Sequence, residues 1–192
     1  MPDARPLRAD ARRNREAVLE AARTAFAASG LTVALDEIAR RAGVGPGTLY
    51  RHFPTKEALF EAVVQERLRH LADEGAALGD SPDPGAAFFT FLDRLAAEAG
   101  PKRDLFDALA SAGVEAGPAV MAAAADLRTQ ISRLLFRAQQ AGAVRADIGS
   151  EDLTALLSGL LFAMPPRPGV DQAVVLSVFT DGLRPADHDT GR

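Results

Sequence analysis

LDEIARRAGVGPGTLYRHFPTKE, residues 35–57, reads as two short helices joined by a tight turn, with a further helix opening behind them. Ile38 and Ala39 face inward from the first, while Asp36, Glu37, Arg40 and Arg41 form a charged face suited to water. Ala42-Gly43-Val44 stops that helix, because Gly43 accepts the left-handed conformation that closes a helix and Val44 packs down between the two. Gly45 then stands at a cap position and Pro46 at the first helical position, where its missing N–H costs nothing and its fixed φ is already helical. From Pro46 the helix runs to Phe53. Leu49 and Phe53, four apart, share its buried face and turn Gly47, Thr48 and Arg51 outward, with Tyr50 and His52 on the flanks.

That outward face is small, polar and cationic. Gly47-Thr48 near the helix N-terminus lets backbone approach a base edge, and Thr48 offers a hydroxyl and a methyl to a major groove. Tyr50, Arg51, His52 and Lys56 carry donors suited to phosphate oxygens, contacts that fix register without reading sequence. A solvated polar helix surface is the plainer account of the same residues.

From about Ala11 to Val64 the chain resembles the DNA-binding domain of the TetR family of bacterial transcriptional repressors, and GTLYRHFPTKEAL, residues 47–59, is close to that family's recognition-helix signature. The resemblance implies base contacts at Gly47 and Thr48 and phosphate contacts at Tyr50, Arg51, His52 and Lys56. Two positions depart from the family pattern. Ala34 replaces the usual Ser or Thr cap of the first short helix, and Gly45 replaces the common Ser at the next. Losing such a cap costs about 1 kcal/mol, less when Gly is the substitute. Glu37 keeps only half of a capping box.

The 192-residue chain is 47% hydrophobic and 25% charged, the composition of a globular protein with room for one or two domains. Its formal charge of −4 is unevenly spread: residues 1–70 hold twelve Lys and Arg against nine Asp and Glu, leaving ten against seventeen in the remainder. One mildly basic end suits contact with a polyanion, and the acidic remainder argues against indiscriminate nucleic-acid coating. With no Cys, disulfides and thiolate metal sites are excluded. The N-terminus lacks the apolar core of a signal peptide and no apolar run reaches membrane-spanning length, so a cytoplasmic protein without membrane contact is expected.

An all-α fold of about nine helices is expected, with a three-helix head at residues 1–55 and a helical effector-binding and dimerisation domain at 56–192. Residues 1–9 read as a flexible arm and 185–192 as a loose tail. Arg12, Arg13 and Arg15 open the first helix, whose stripe of Leu19, Ala22 and Phe26 should close over Ile38 and Leu49. Pro54-Thr55 ends the second short helix and caps a long one reaching roughly Leu78, and the resemblance implies that movement of this long helix carries a ligand signal. Breakers at 79–85 precede an aromatic helix that ends at Gly100-Pro101; a shorter helix covers about 102–112, and Gly117-Pro118 opens another through Gln140. Ser150-Glu151-Asp152 supplies a capping hydroxyl and two acids for a further start.

The last two helices are apolar nearly all round. Leu156, Leu160 and Leu161 on one, and Val174, Val175, Val178 and Phe179 on the other, are expected at a homodimer's four-helix interface, the arrangement the resemblance also implies; on sequence alone two buried core helices of a monomer are the alternative. Seven of the ten Phe follow residue 71. Phe88, Phe91, Leu92, Phe106, Leu109, Met121, Phe136 and Phe162 can line a pocket for a largely apolar effector, although packed core has the same composition. No constellation for catalysis emerges from three scattered His at 52, 70 and 188, and neither a cofactor nor a metal is expected. The reading is a ligand-responsive repressor that binds a palindromic duplex operator as a homodimer. Its rivals are a helical small-molecule-binding protein whose DNA affinity has decayed and an enzyme on a helical scaffold.

Overall fold

The computed structural model describes residues 4–99, 116–163 and 170–185. Eight α-helices, and no strand, occur among the described residues: α1 (Ala4–Ser29), α2 (Leu35–Arg41), α3 (Pro46–His52), α4 (Lys56–Leu78), α5 (Pro84–Ala99), α6 (Pro118–Gln140), α7 (Ser150–Ala163) and α8 (Gln172–Gly182). A single 3₁₀ turn, Gly30–Thr32, follows α1. The helix expected at 102–112 lies outside the described residues. Helix α1 begins at Ala4, so residues 4–9, expected as an arm, have helical backbone. Pro6 falls in the first turn, where a helix makes no use of the N–H that proline lacks.

The chain divides into two compact units, Met1–Arg67 with Asp104–Met121 and Leu68–Arg103 with Ala122–Arg192. The division falls inside α4, later than the boundary at residue 55 expected from sequence, because the first turns of α4 belong to the head's own core. Leu59 and Phe60 are fully buried there with Val18, Ala22, Ile38 and Leu49. The rings of Phe26 and Phe60 meet edge to face, 5.6 Å between centroids. Each large side chain so buried contributes about 1.5–3 kcal/mol, which holds α2 and α3 against α1 despite their two-turn length.

In the second unit Phe88, Phe91 and Leu92 of α5 pack with Ile131, Leu134 and Leu135 of α6 and with Leu153 and Leu157 of α7. Gly75 permits a close approach inside this unit, since a Cβ there would stand 2.9 Å from both Gln130 Cβ and Phe91 Cζ. Loops are tied down by side chains. Arg137 donates to the Gly79 and Ser81 carbonyls, and Gln139 Nε2 to those of Arg145 and Ile148. Asp83 Oδ1 accepts from the Ala86 N–H at 2.9 Å at the start of α5, and Asp171 caps α8 through the Ala173 N–H. The cap of α7 differs from expectation. The helix starts at Ser150 itself, one residue early, which puts Asp152 in place to accept the Gly149 N–H at 2.8 Å.

Candidate functional site

The turn between α2 and α3 is built as its residues dictate. Gly43 has φ +66°, and two hydrogen bonds close the end of α2, from Gly43 N–H to the Arg40 carbonyl and from Val44 N–H to the Ala39 carbonyl, the pattern of a Schellman cap. Ala34 and Gly45 take extended conformations at the two N-caps, and neither provides a side-chain hydrogen bond. Glu37 does not act as a cap. Its carboxylate receives Arg40 at 2.7 and 2.8 Å and Arg41 at 2.8 Å, and these hydrogen bonds, Arg40's first, hold its pKa down at about 2. Pro46 occupies the first turn of α3, and at its far end the Phe53 N–H reaches the Leu49 carbonyl at 2.8 Å. Thr55 Oγ1 accepts from the Ala58 N–H at 3.1 Å, the expected cap of α4.

On α3, Leu49 is buried completely and Phe53 just beyond it almost so; Gly47, Arg51 and His52 are exposed, and Thr48 is half-buried. No atom lies within 4 Å of where a Cβ at Gly47 would stand. Among the described residues, neither Arg51 nor His52 makes a hydrogen bond or ion pair through its side chain, so both are available to an outside anion. Lys56 is less free than its sequence position suggests. Half-buried, it donates from Nζ to the Leu31 carbonyl at 2.7 Å and ties the start of α4 to the turn after α1, with two N–H donors left over.

Tyr50, 44% exposed, donates its hydroxyl to Asp36 Oδ1 at 3.3 Å. The Asp36 carboxylate, followed by desolvation and that hydrogen bond, raises the Tyr50 pKa above its ordinary value, so the phenol stays a donor at physiological pH. Asp36 is the residue that sequence reasoning missed. It lies fourteen positions from Tyr50, and only the crossing of α2 over α3 brings them together. Three arginines of α1 are engaged as well: Arg12 pairs with Glu16 at 3.5 Å, Arg13 with Asp10, and Arg15 lies over the Phe53 ring at 5.7 Å. Such exposed pairs contribute little and are readily exchanged for phosphate.

The side chains of five of the eight residues expected to line an apolar pocket are described. Phe88, Phe91 and Leu92 are about 1% exposed and pack in the core of the second unit. Phe136 is 61% exposed and Met121 53%, with Met121 in the first unit. Phe106, Leu109 and the side chain of Phe162 lie outside the described residues, as does that of Leu161. The aromatic spacing that suggested a cavity wall is the spacing of an ordinary helix core.

The expected interface residues fare differently. Leu156 of α7 and Val174 and Val178 of α8 are exposed, Leu160 and Val175 are half-buried, and no residue of α8 is fully buried. Phe179 instead leans on the core of its own unit. Gly159 is open, with nothing within 4 Å of a Cβ placed there.

Residues 18–63 match the family described as bacterial regulatory proteins, tetR family, and residues 83–185 match the C-terminal domain of SbtR-like transcriptional regulators. A TetR transcription regulatory protein of known structure from Mycobacterium vanbaalenii is 44% identical, with a TM-score of 0.77 over 94% of this chain and 100% of that one. The TetR transcriptional regulator SCO0520 from Streptomyces coelicolor is 35% identical, with a TM-score of 0.73 over 90% of this chain and 99% of its own. The HTH-type transcriptional regulator UidR of Escherichia coli K12 is 27% identical over 93% of each chain.

Proposed function

Since the chain belongs to the TetR family and is a DNA-binding transcriptional regulator, we propose that it acts as a homodimeric, ligand-responsive repressor reading a two-fold symmetric operator. The observation that carries this reading is the uncovered apolar face of α7 and α8, where Leu156, Val174 and Val178 stand 50%, 57% and 68% exposed. Large apolar side chains left this exposed on two helices suit an interaction site, and a second copy offers the same side chains. Pairing then sets two α3 helices for successive major grooves, about 34 Å apart for one turn of duplex. An effector that favours a dimer with a different spacing releases the operator, its differential affinity for the two forms supplying the shift. The continuous helix α4, which starts in the head and extends into the second unit, is the element to carry that change.

Within each head, Gly47 and Thr48 approach base edges, while Tyr50, Arg51, His52 and the spare donors of Lys56 hold phosphates. Selection of bound duplexes from a random library, with the winners retested at two salt concentrations, tests this reading. A two-fold symmetric site is expected. Thr48→Ala should relax preference at one base step per half-site, worth about 1–3 kcal/mol, and Tyr50→Phe should weaken all sequences about equally. If no symmetric sequence emerges and the weak binding disappears with salt, the repressor reading fails and a ligand-binding protein with decayed DNA affinity takes its place.

Asp36 gives a prediction of opposite sign. Its carboxylate holds the Tyr50 hydroxyl in the free protein and places a negative charge beside the phosphate-binding residues. Asp36→Asn should therefore tighten operator binding by about three- to tenfold at fixed salt, the size of one screened charge pair. The gain should shrink in a Tyr50→Phe background. Unchanged affinity in anisotropy titrations would remove Asp36 from the DNA-facing surface.

A further inference from the structure

Between α4 and α6 the second unit carries a groove of about 380 Å³, within the range of small-molecule sites. Its polar lining comes from Arg69 and Asp73 on α4 and from Asp126, Thr129 and Gln130 on α6. These residues recur at three- and four-residue spacing, so each helix turns one face to the same space. Among the described residues, no ion pair or side-chain hydrogen bond engages Arg69, Asp73 or Asp126. Thr129 donates its hydroxyl to the Ala125 carbonyl at 3.0 Å, which leaves the oxygen's acceptor side open. Gln130 Oε1 is buried and has no hydrogen-bond partner. The close approach at Gly75, 2.9 Å from Gln130 Cβ to a notional Cβ, fixes this side chain against α4.

A buried acceptor without a donor costs about 1–3 kcal/mol, and a ligand that supplies the donor recovers it. The groove thus presents two carboxylates, an amide oxygen and a hydroxyl oxygen as acceptors against a single guanidinium. Lipid-like and aromatic ligands would leave Gln130 Oε1 unpaired and offer the two carboxylates no counter-charge. We infer that this groove is the effector site and takes a small organic cation rich in N–H donors, an oligoamine or a guanidine, an inference that rests on the ligand-responsive reading above. The ammonium or guanidinium lies between Asp73 and Asp126 and donates to Gln130 Oε1, with charge-assisted hydrogen bonds setting its orientation.

Calorimetric titration of the full-length protein with agmatine, spermidine and octanoate, in the absence of DNA and at one ionic strength, tests the site. Both aspartates are exposed, so the Asp73→Asn/Asp126→Asn double variant keeps its fold, which thermal unfolding checks. Agmatine or spermidine should bind the native protein at least about tenfold more tightly than the double variant, the loss expected for two charge-assisted contacts. Gln130→Met should weaken the same binding without altering the charge. Equal affinity for native protein and double variant, binding of octanoate alone, or no heat with either amine overturns the inference.

Operator release is measured separately, with the double variant correcting for amines that bind the duplex directly. Amine binding that leaves operator affinity unchanged upholds the site and removes the ligand-responsive reading. Operator release by octanoate alone upholds that reading and removes the site.

Discussion

Replacing Val174 and Val178 together by Asp should yield a folded monomer whose operator affinity is lower by about 10²- to 10⁴-fold, the range lost when two linked binding modules are separated. The two side chains are 57% and 68% exposed and four residues apart on α8, so the aspartates meet water in the monomer and cost little there. In a two-fold interface each substitution counts twice, and four carboxylates would be brought out of water into apolar contact. Desolvation of unpaired charges costs several kcal/mol per ion, well above what such a face returns on pairing. Light scattering should report one copy in place of two, with an unchanged helical circular dichroism spectrum. Each monomer keeps an intact α3 and retains weak, salt-sensitive binding to a half-site. A double variant that still elutes as a dimer and binds the operator normally would put the interface elsewhere and sink the proposed use of α7 and α8.

How far the sequence revealed the molecule depended on the range of each signal. The head was legible because its instructions are local. Gly43 needs only its own left-handed backbone to close α2, Pro46 only its own φ to open α3, and Thr55 only the Ala58 N–H three residues on. The apolar face of α8 was legible for a similar reason, since side chains on all sides of one helix exceed what a single neighbour can cover. The groove proposed for an effector was not. Phe88, Phe91 and Leu92 recur at the spacing of a core helix, and a cavity wall has that same spacing, so only packing distinguishes them. The residues that do line a groove, Arg69, Asp73 and Asp126, read individually as solvated charges. Tyr50 and Asp36 met for a reason no window of sequence contains, the angle at which α2 crosses α3.

Gly47→Leu should leave the fold intact and lower operator affinity by about 30- to 10⁴-fold, taking about 1–3 kcal/mol for each half-site and two half-sites per dimer. Nothing inside the chain requires glycine at this position. Its φ is not among the positive ones, the residue is exposed, and a Cβ would meet no atom within 4 Å. Glycine within a helix costs about 0.5–1 kcal/mol relative to Ala, so the head is less stable for keeping it. A residue that lowers stability and packs against nothing is explained by something outside the protein that must come close to the backbone. At the second position of α3, after Pro46, the proposed partner is the edge of a base pair in the major groove. Gly47→Ala then separates the two effects, because it should hold or raise the midpoint of thermal unfolding while weakening operator binding by less than Gly47→Leu. The pair of variants is measured by thermal melts and by anisotropy titration of the selected duplex at one salt concentration. Native affinity in Gly47→Leu would mean that the N-terminus of α3 stays out of the groove, and the base-contacting role of Thr48 beside it would fall with it.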